Sequence, residues 1–206
     1  MINTVVFFSF LLVGTPDSLP VVKADTLFTI KKAHDFICAD KLDNIYVINK
    51  DVITRYQSKG DSLLQQSFKK YGDVEAFDAT QALRPVIFYA AQSLVITTDN
   101  TLSLQNEPVE LTQWGFEQCT LLAASNFNDG FWLFDNGSLE LVRVDHTFKI
   151  TNRSGNITTA LGQAVQPRSM KEHNSRLFMH IPGMGIAVFD QYANYLKTLP
   201  INSLNS

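Results

Sequence analysis

From about residue 25 onward the apolar residues come in short runs bounded by Asp, Asn, Gly or Pro. Ile45–Ile48, Val52–Tyr56, Phe131–Phe134 and Ile186–Phe189 are examples, each rich in β-branched and aromatic side chains. Runs of that length and composition predict strands joined by tight turns. No stretch keeps apolar residues at i, i+3, i+4 and i+7 through three helical turns. The best helical candidate is Asp61–Gly72, with Asp61 as a cap and Gly72 as a stop. Its centre, Leu63–Phe68, serves equally as an outer strand, and the repeats below favour that reading. The chain is predicted to be all-β.

The runs recur as whole units of turn, aromatic strand, hairpin and strand. In one copy Asp43-Asn44 makes the turn, Ile45–Ile48 and Val52–Tyr56 are the strands, and Gly60 follows. In a later copy Asn128-Asp129-Gly130 turns, Phe131–Phe134 extends, Asn136-Gly137 forms the hairpin and Leu139–Val144 returns. In the last, Asn174-Ser175-Arg176 precedes Leu177–Met179, and Pro182–Gly185 leads into Ile186–Phe189. A weaker copy over Ser93–Leu104 supplies strand, Asp99-Asn100 turn and strand. Tyr46 and Trp132 stand 86 residues apart, two units of 43, and Trp132 and Phe178 stand 46 apart. A period of about 40–45 residues carrying four short strands predicts the blades of a β-propeller. One such blade exposes both faces to water and becomes stable only against neighbouring blades, so the unit must recur. A β-sandwich or a closed barrel is the alternative, because both also space strands regularly.

Two resemblances follow from these residues. Asp43–Gly60, "DNIYVINKDVITRYQSKG", resembles a blade of the NHL-type propellers. Phe77–Leu104, the Asn-Asp-Gly-Phe-Trp-Leu-Phe-Asp string ending at Asp135, and Gly185–Ile201 resemble a set of uncharacterised exported β-propeller proteins of Gram-negative bacteria. The resemblance implies a propeller and a periplasmic or secreted location. It implies no reaction and transfers no catalytic residue. The 182 residues after residue 24 fit four units, the lower limit for a closed ring of about 4–8 blades. Members of that set continue into a further blade, so a truncated chain or an open arc is expected as readily as a closed ring.

Composition narrows the function classes. With 45% hydrophobic and 18% charged residues, the 206-residue chain is globular. A net charge of −3 lacks the basic footprint of a nucleic-acid binder, and Lys31-Lys32 and Lys69-Lys70 read as solvated or edge-guarding lysines. The two cysteines, Cys38 and Cys119, form no C-x-x-C pair and sit in different units, which favours buried thiols over a disulfide. Val5–Gly14 is apolar except for Ser9, too short to span a bilayer but of a length that suits a secretory signal. The small residues before Asp25 suit cleavage there, giving a leader at 1–24 and a propeller domain at 25–206; the alternative is a buried first strand. No transmembrane span is expected.

The chemistry-bearing residues form no catalytic signature. His34, His146, His173 and His180 have no metal-ligand spacing, and G-x-S-x-G, H-E-x-x-H and a glycine-rich phosphate loop are absent. The glycines of Pro182–Gly185 read as a turn. Acidic residues recur at turns (Asp40, Asp43, Asp78, Asp99, Asp129, Asp135, Asp145, Asp190), where Asp shapes the turn through its own side chain. Trp132 reads as packing between blades, and Trp114 as the more exposed tryptophan. If one mouth of the channel binds a ligand, blade order points to Asp40, Asp78, Arg84, Asn126 and Arg168 there, with Trp114 as a surface candidate. The sequons at Asn136, Asn152 and Asn156 matter only in a eukaryotic secretory path. The expectation is a non-enzymatic exported propeller that binds a protein at its loop mouth or an exposed blade face, with no cofactor and no nucleic acid. The alternative is a metal-dependent propeller hydrolase or lactonase with a channel cation.

Overall fold

The computed structural model describes residues 28–126 and 129–201. The apolar run Val5–Gly14, the cleavage position before Asp25 and Asn128 lie outside the described residues. Sixteen strands form four antiparallel four-stranded sheets, each a simple meander in chain order. Blade I holds β1 (Phe36–Ala39), β2 (Ile45–Asn49), β3 (Val52–Tyr56) and β4 (Ser62–Ser67). Blade II holds β5 (Ala76–Asp78), β6 (Val86–Tyr89), β7 (Leu94–Thr97) and β8 (Val109–Glu110). Blade III holds β9 (Cys119–Ala124), β10 (Phe131–Asp135), β11 (Glu140–Val144) and β12 (Ile150–Asn156). Blade IV holds β13 (Ser169–His173), β14 (Arg176–Ile181), β15 (Gly185–Asp190) and β16 (Tyr195–Leu199). The chain is an all-β propeller of four blades, as the repeat predicts.

Strand alternation sends each blade's apolar side chains to two different neighbours. Tyr46, Ile48 and Ile53 of blade I pack with Phe77, Ile87 and Tyr89 of blade II. The other face of blade II (Val86, Phe88, Val95) packs with Phe131, Leu133 and Val142 of blade III. Trp132, Phe134 and Leu141 then pack with Met170, Leu177 and Met179 of blade IV. Burial of this kind contributes roughly 25 cal/mol per Å² of apolar area and is the main force holding the blades together. Tyr46, Phe88, Trp132 and Phe178 occupy corresponding places, each directed from its blade toward the next position around the axis. The three clusters join consecutive blades; none of them draws on both blade IV and blade I. On blade I, the segment before β1 lies across the sheet, with Lys32 Nζ donating to Thr54 Oγ1 at 2.7 Å.

A recurrent turn closes the ends of the strands. Oδ1 of Asp40, Asp99, Asp145 and Asp190 each accepts the backbone N–H groups two and four residues on, at 2.7–3.1 Å. The residue three positions on takes a positive φ in every case: Asp43, Leu102, Phe148 and Ala193. In three of the four that residue is directed inward and buried, so a charged turn also anchors an apolar plug. This is the Asx-type competition of a short carboxylate for its own backbone.

Two local expectations are corrected. The strand expected after Asp99-Asn100 shrinks to a single bridge between Thr98 and Leu104, and the blade's outer strand is the two-residue β8. Asp99 captures the Thr101 and Ser103 amides and Leu102 curls inward, so the backbone cannot stay extended there. A one-turn helix, α1 (Ile157–Leu161), interrupts the otherwise all-strand pattern. Asn156 caps it, its Oδ1 accepting the Thr158 N–H at 2.9 Å, and Gly162 ends it in the left-handed region. Asp61–Gly72 resolves in favour of the outer strand β4, followed by a 3₁₀ turn at Lys69–Tyr71.

Candidate functional site

The first strand of every blade lies at the axis, and together β1, β5, β9 and β13 wall an open cavity of about 810 Å³. That volume falls in the range of small-molecule sites, about 300–1,000 Å³. Phe36, Ile37, Phe88, Leu121, Met170 and Ile186 make most of the wall apolar. Phe178 and His180 extend it over the face of blade IV that turns away from blade III. Ile37, on blade I, is 61% exposed and borders the same space.

Charge enters from two sides. Blade II supplies Glu75 and Asp78, and blade IV supplies Arg168, Lys171 and the His180 imidazole. The acidic side is already engaged. Asp78 accepts the Thr80 N–H at 2.7 Å through Oδ1 and the Ala124 N–H of blade III at 2.9 Å through Oδ2. Glu75 accepts the Ala91 N–H at 3.3–3.4 Å. Among the described residues, the Arg168, Lys171 and His180 side chains make no hydrogen bond or ion pair.

The residues singled out from sequence fall in three places. Asp40, Asp78, Arg84 and Asn126 gather at the mouth where the first strand of each blade runs into the second. Lys41 Nζ donates to Asn126 Oδ1 at 3.2 Å there, linking blade I to blade III across the mouth. Arg168 precedes β13 and therefore lies at the other end of the channel; the blade IV counterpart of Asp40 and Asp78 is the His173 turn. Reading blade order without the strand direction inside the unit put Arg168 at the wrong end. Trp114 lies on the 3₁₀ turn Leu111–Trp114, half-exposed and 6.0 Å from the Phe148 ring, away from the channel.

Most of the mouth residues hold the blades together. Asp40 takes the Tyr46 hydroxyl at 3.0 Å and the Asn44 side-chain amide at 2.8 Å through Oδ2, besides the two turn amides on Oδ1. Arg84 donates to the Asp129 backbone oxygen of blade III and lies 5.3 Å from the Phe131 ring. Arg55 donates to the Asn100 oxygen of blade II, and Arg143 donates to the Gln191 oxygen of blade IV at 2.8 Å. Each of the three packed interfaces thus carries one arginine reaching a loop carbonyl of the next blade. Burial pulls Arg84 and Arg143 below the usual arginine value, and Asp129 and Glu172 respectively oppose the shift.

Sequence reasoning missed Glu172, the most buried carboxylate among the described residues at 3% exposed. It accepts Trp132 Nε1–H at 2.6 Å, the Ser125 hydroxyl at 2.8 Å and the Asn126 N–H at 3.0 Å. Arg143 donates to the same Ser125 hydroxyl at 2.8 Å and stacks 5.2 Å from the Trp132 ring. The only signal available was Glu172 in an inner strand, between two positions that face solvent. Among the described residues, no group of three or more His, Cys, Asp or Glu side chains converges as metal ligands. No helix there is long and apolar enough to cross a membrane.

Two titrations give testable consequences. Cys38 and Cys119 are free thiols, and burial pushes each up to about 12 from 9.0. Cys38 nevertheless borders the cavity. Because the thiolate is the nucleophile, alkylation of Cys38 by iodoacetamide at pH 8 should be at least about a hundredfold slower than that of an unstructured thiol. Mass spectrometry of the alkylated folded chain measures it, and equal rates would show that the β1 wall opens. At the turns, hydrogen bonds from Thr101 and from Thr147 hold Asp99 and Asp145 below the ordinary carboxylate value of 3.8. For a lowered carboxylate the stabilisation is present above the unfolded value and is lost as pH falls through the folded value. The melting temperature should be flat above about pH 5 and fall below pH 4, with a shallower fall in Asp99→Asn and Asp145→Asn.

No protein-family model matches the chain, and no curated protein matches it in sequence. Solved structures share its fold. The luciferin-regenerating enzyme superposes with a TM-score of 0.55 at 13% identity, over 84% of this chain and 64% of that one. Virginiamycin B lyase from Staphylococcus aureus gives 0.54 at 11%, over 80% and 55%. A Bacteroides caccae protein of unknown function gives 0.52 at 9%, over 82% and 61%. The chain therefore spans roughly half to two thirds of each of these propellers, and at such identities the likeness concerns the fold.

Proposed function

We propose that the chain is a non-enzymatic binding module, exported to the cell envelope, whose axial cavity and the adjoining face of blade IV receive a protein partner. The observation that carries this reading is the cavity itself. It is open and apolar, and its cationic groups are uncommitted, while the carboxylates at the mouth are already bound to turn amides. A channel cation needs several carboxylate oxygens converging on one point. The oxygens of Asp40 and Asp78 instead accept donors from their own turns and neighbouring blades, which weighs against the hydrolase alternative. The wall formed by the exposed Ile37 and the half-buried Phe178 supplies the apolar surface that a partner would cover.

The test uses the full chain immobilised and exposed to extract of the cells that make it. Polypeptides retained by the wild type should be lost with Lys171→Glu and with Phe178→Asp, and kept with Trp114→Ala. Equal retention by all four chains overturns the reading. One tightly held divalent ion per purified chain would favour the hydrolase instead. N-terminal sequencing of the mature protein tests export, with Asp25 expected as its first residue.

A further inference from the structure

We infer that the axial cavity binds an apolar body carrying a single anionic group, held with the anion against blade IV. The inference rests on the cavity being the binding site and goes further, because it names the chemistry of what enters. Arg168 immediately precedes β13, Lys171 is its third residue, and His180 pairs with Ser169 directly across the sheet. All three border the cavity, and none has a side-chain partner among the described residues. The opposite wall is acidic, with Glu75 and Asp78 on blade II. An anion is repelled there and attracted to blade IV, so the field across the cavity fixes one orientation of the ligand. Phe36 of blade I, Leu121 of blade III and Met170 and Ile186 of blade IV supply apolar lining, which matches a hydrocarbon or aromatic body rather than a sugar or a free phosphate.

Arg168 and Lys171 are exposed beside the apolar lining, so their charged heads are hydrated and free to turn toward an acceptor that enters the cavity. Arg55, Arg84 and Arg143 all reach a carbonyl of the next blade. Arg168 and Lys171 make no such bond among the described residues, and both border the cavity, where a ligand can supply an acceptor. The anionic group can belong to a free amphipathic acid or to an acidic residue within an apolar peptide segment. The chemistry is shared, and the experiment separates the two sources.

Isothermal titration of the full chain is made with three probes that share a linear ten-carbon chain and differ in the charge of the head group: decanoate, 1-decanol and decyltrimethylammonium. Decanoate should bind, the alcohol about three- to tenfold more weakly, and the cation more weakly still, as loss of the charge pairs with two exposed cations dictates. Arg168→Glu and Lys171→Glu should each lower decanoate affinity by about tenfold or more and narrow the gap to decyltrimethylammonium. Their melting temperatures should match that of the wild type, since neither side chain holds the fold. A second arm uses an octapeptide with one glutamate among leucines and its glutamine analogue. Preference for the peptide over decanoate assigns the anion to a polypeptide, and the reverse assigns it to a free acid. Equal affinity for decanoate and decanol, or unchanged binding by both charge-reversed variants, overturns the inference. Loss of protein capture with decanoate binding intact would instead overturn the partner assignment and leave this one standing.

Discussion

Glu172→Ala is expected to destabilise the protein by about 3–5 kcal/mol, the usual cost of removing one member of a buried charged network. Four donors lose their acceptor at once: Trp132 Nε1–H, the Ser125 hydroxyl, and the backbone and side-chain N–H groups of Asn126. Arg143, 5% exposed, loses the carboxylate that offsets its burial. Trp132 is fully buried between blades III and IV, and so cannot move to find water. Glu172→Gln keeps the shape and two acceptor lone pairs and should lose less. Urea denaturation followed by tryptophan fluorescence measures both variants. A loss below about 1 kcal/mol for Glu172→Ala would mean that the III–IV interface is held by apolar packing alone.

Gly185→Ala is expected to lose roughly 3 kcal/mol or more, for a steric reason. Gly185 opens β15 at φ +111°, and a methyl group there would sit 2.2 Å from the Leu199 carbonyl oxygen and 2.8 Å from the Ile201 nitrogen. Both neighbours are backbone, and the Leu199 side of the ladder is already paired with Ile186. Gly183 supplies the control: its φ is +79°, and nothing lies within 4 Å of the added carbon. Gly183→Ala should cost about 1–2 kcal/mol, the penalty for a side chain in the left-handed region without a clash. Similar losses in the two variants would show that backbone conformation, not crowding against β16, decides the cost.

The architecture was legible because spacing carries it. Tyr46, Trp132 and Phe178 mark the period and point the same way around the axis, so three residues were enough to locate three blades. Blade II was the faintest. Its outer strand is two residues long and its Asp99 turn curls back, so a stretch that reads as strand–turn–strand folds as strand–turn–bridge. The site was less legible. Blade order points to Asp40 and Asp78, and their charge is consumed by backbone amides that no sequence pattern displays. Arg84 was the least expected charge in an apolar region, and it reaches the Asp129 carbonyl of the next blade. Arg168 borders the cavity, but at the mouth opposite Asp40 and Asp78, because it precedes its inner strand where they end theirs. Lys171, His180 and Glu172 stand on two neighbouring strands of one blade, and only pairing β13 with β14 shows that the first two face the cavity while the third faces Trp132.

Methyl-resolved NMR of the full chain during a decanoate titration tests most directly whether the axial cavity is where this propeller binds. Shifts confined to Ile37, Leu121, Met170 and Ile186 are expected, with Leu63, Leu104 and Leu196, exposed outside the cavity, unmoved. Shifts centred on the outer strands or around Trp114, with the four cavity methyls unchanged, would contradict it.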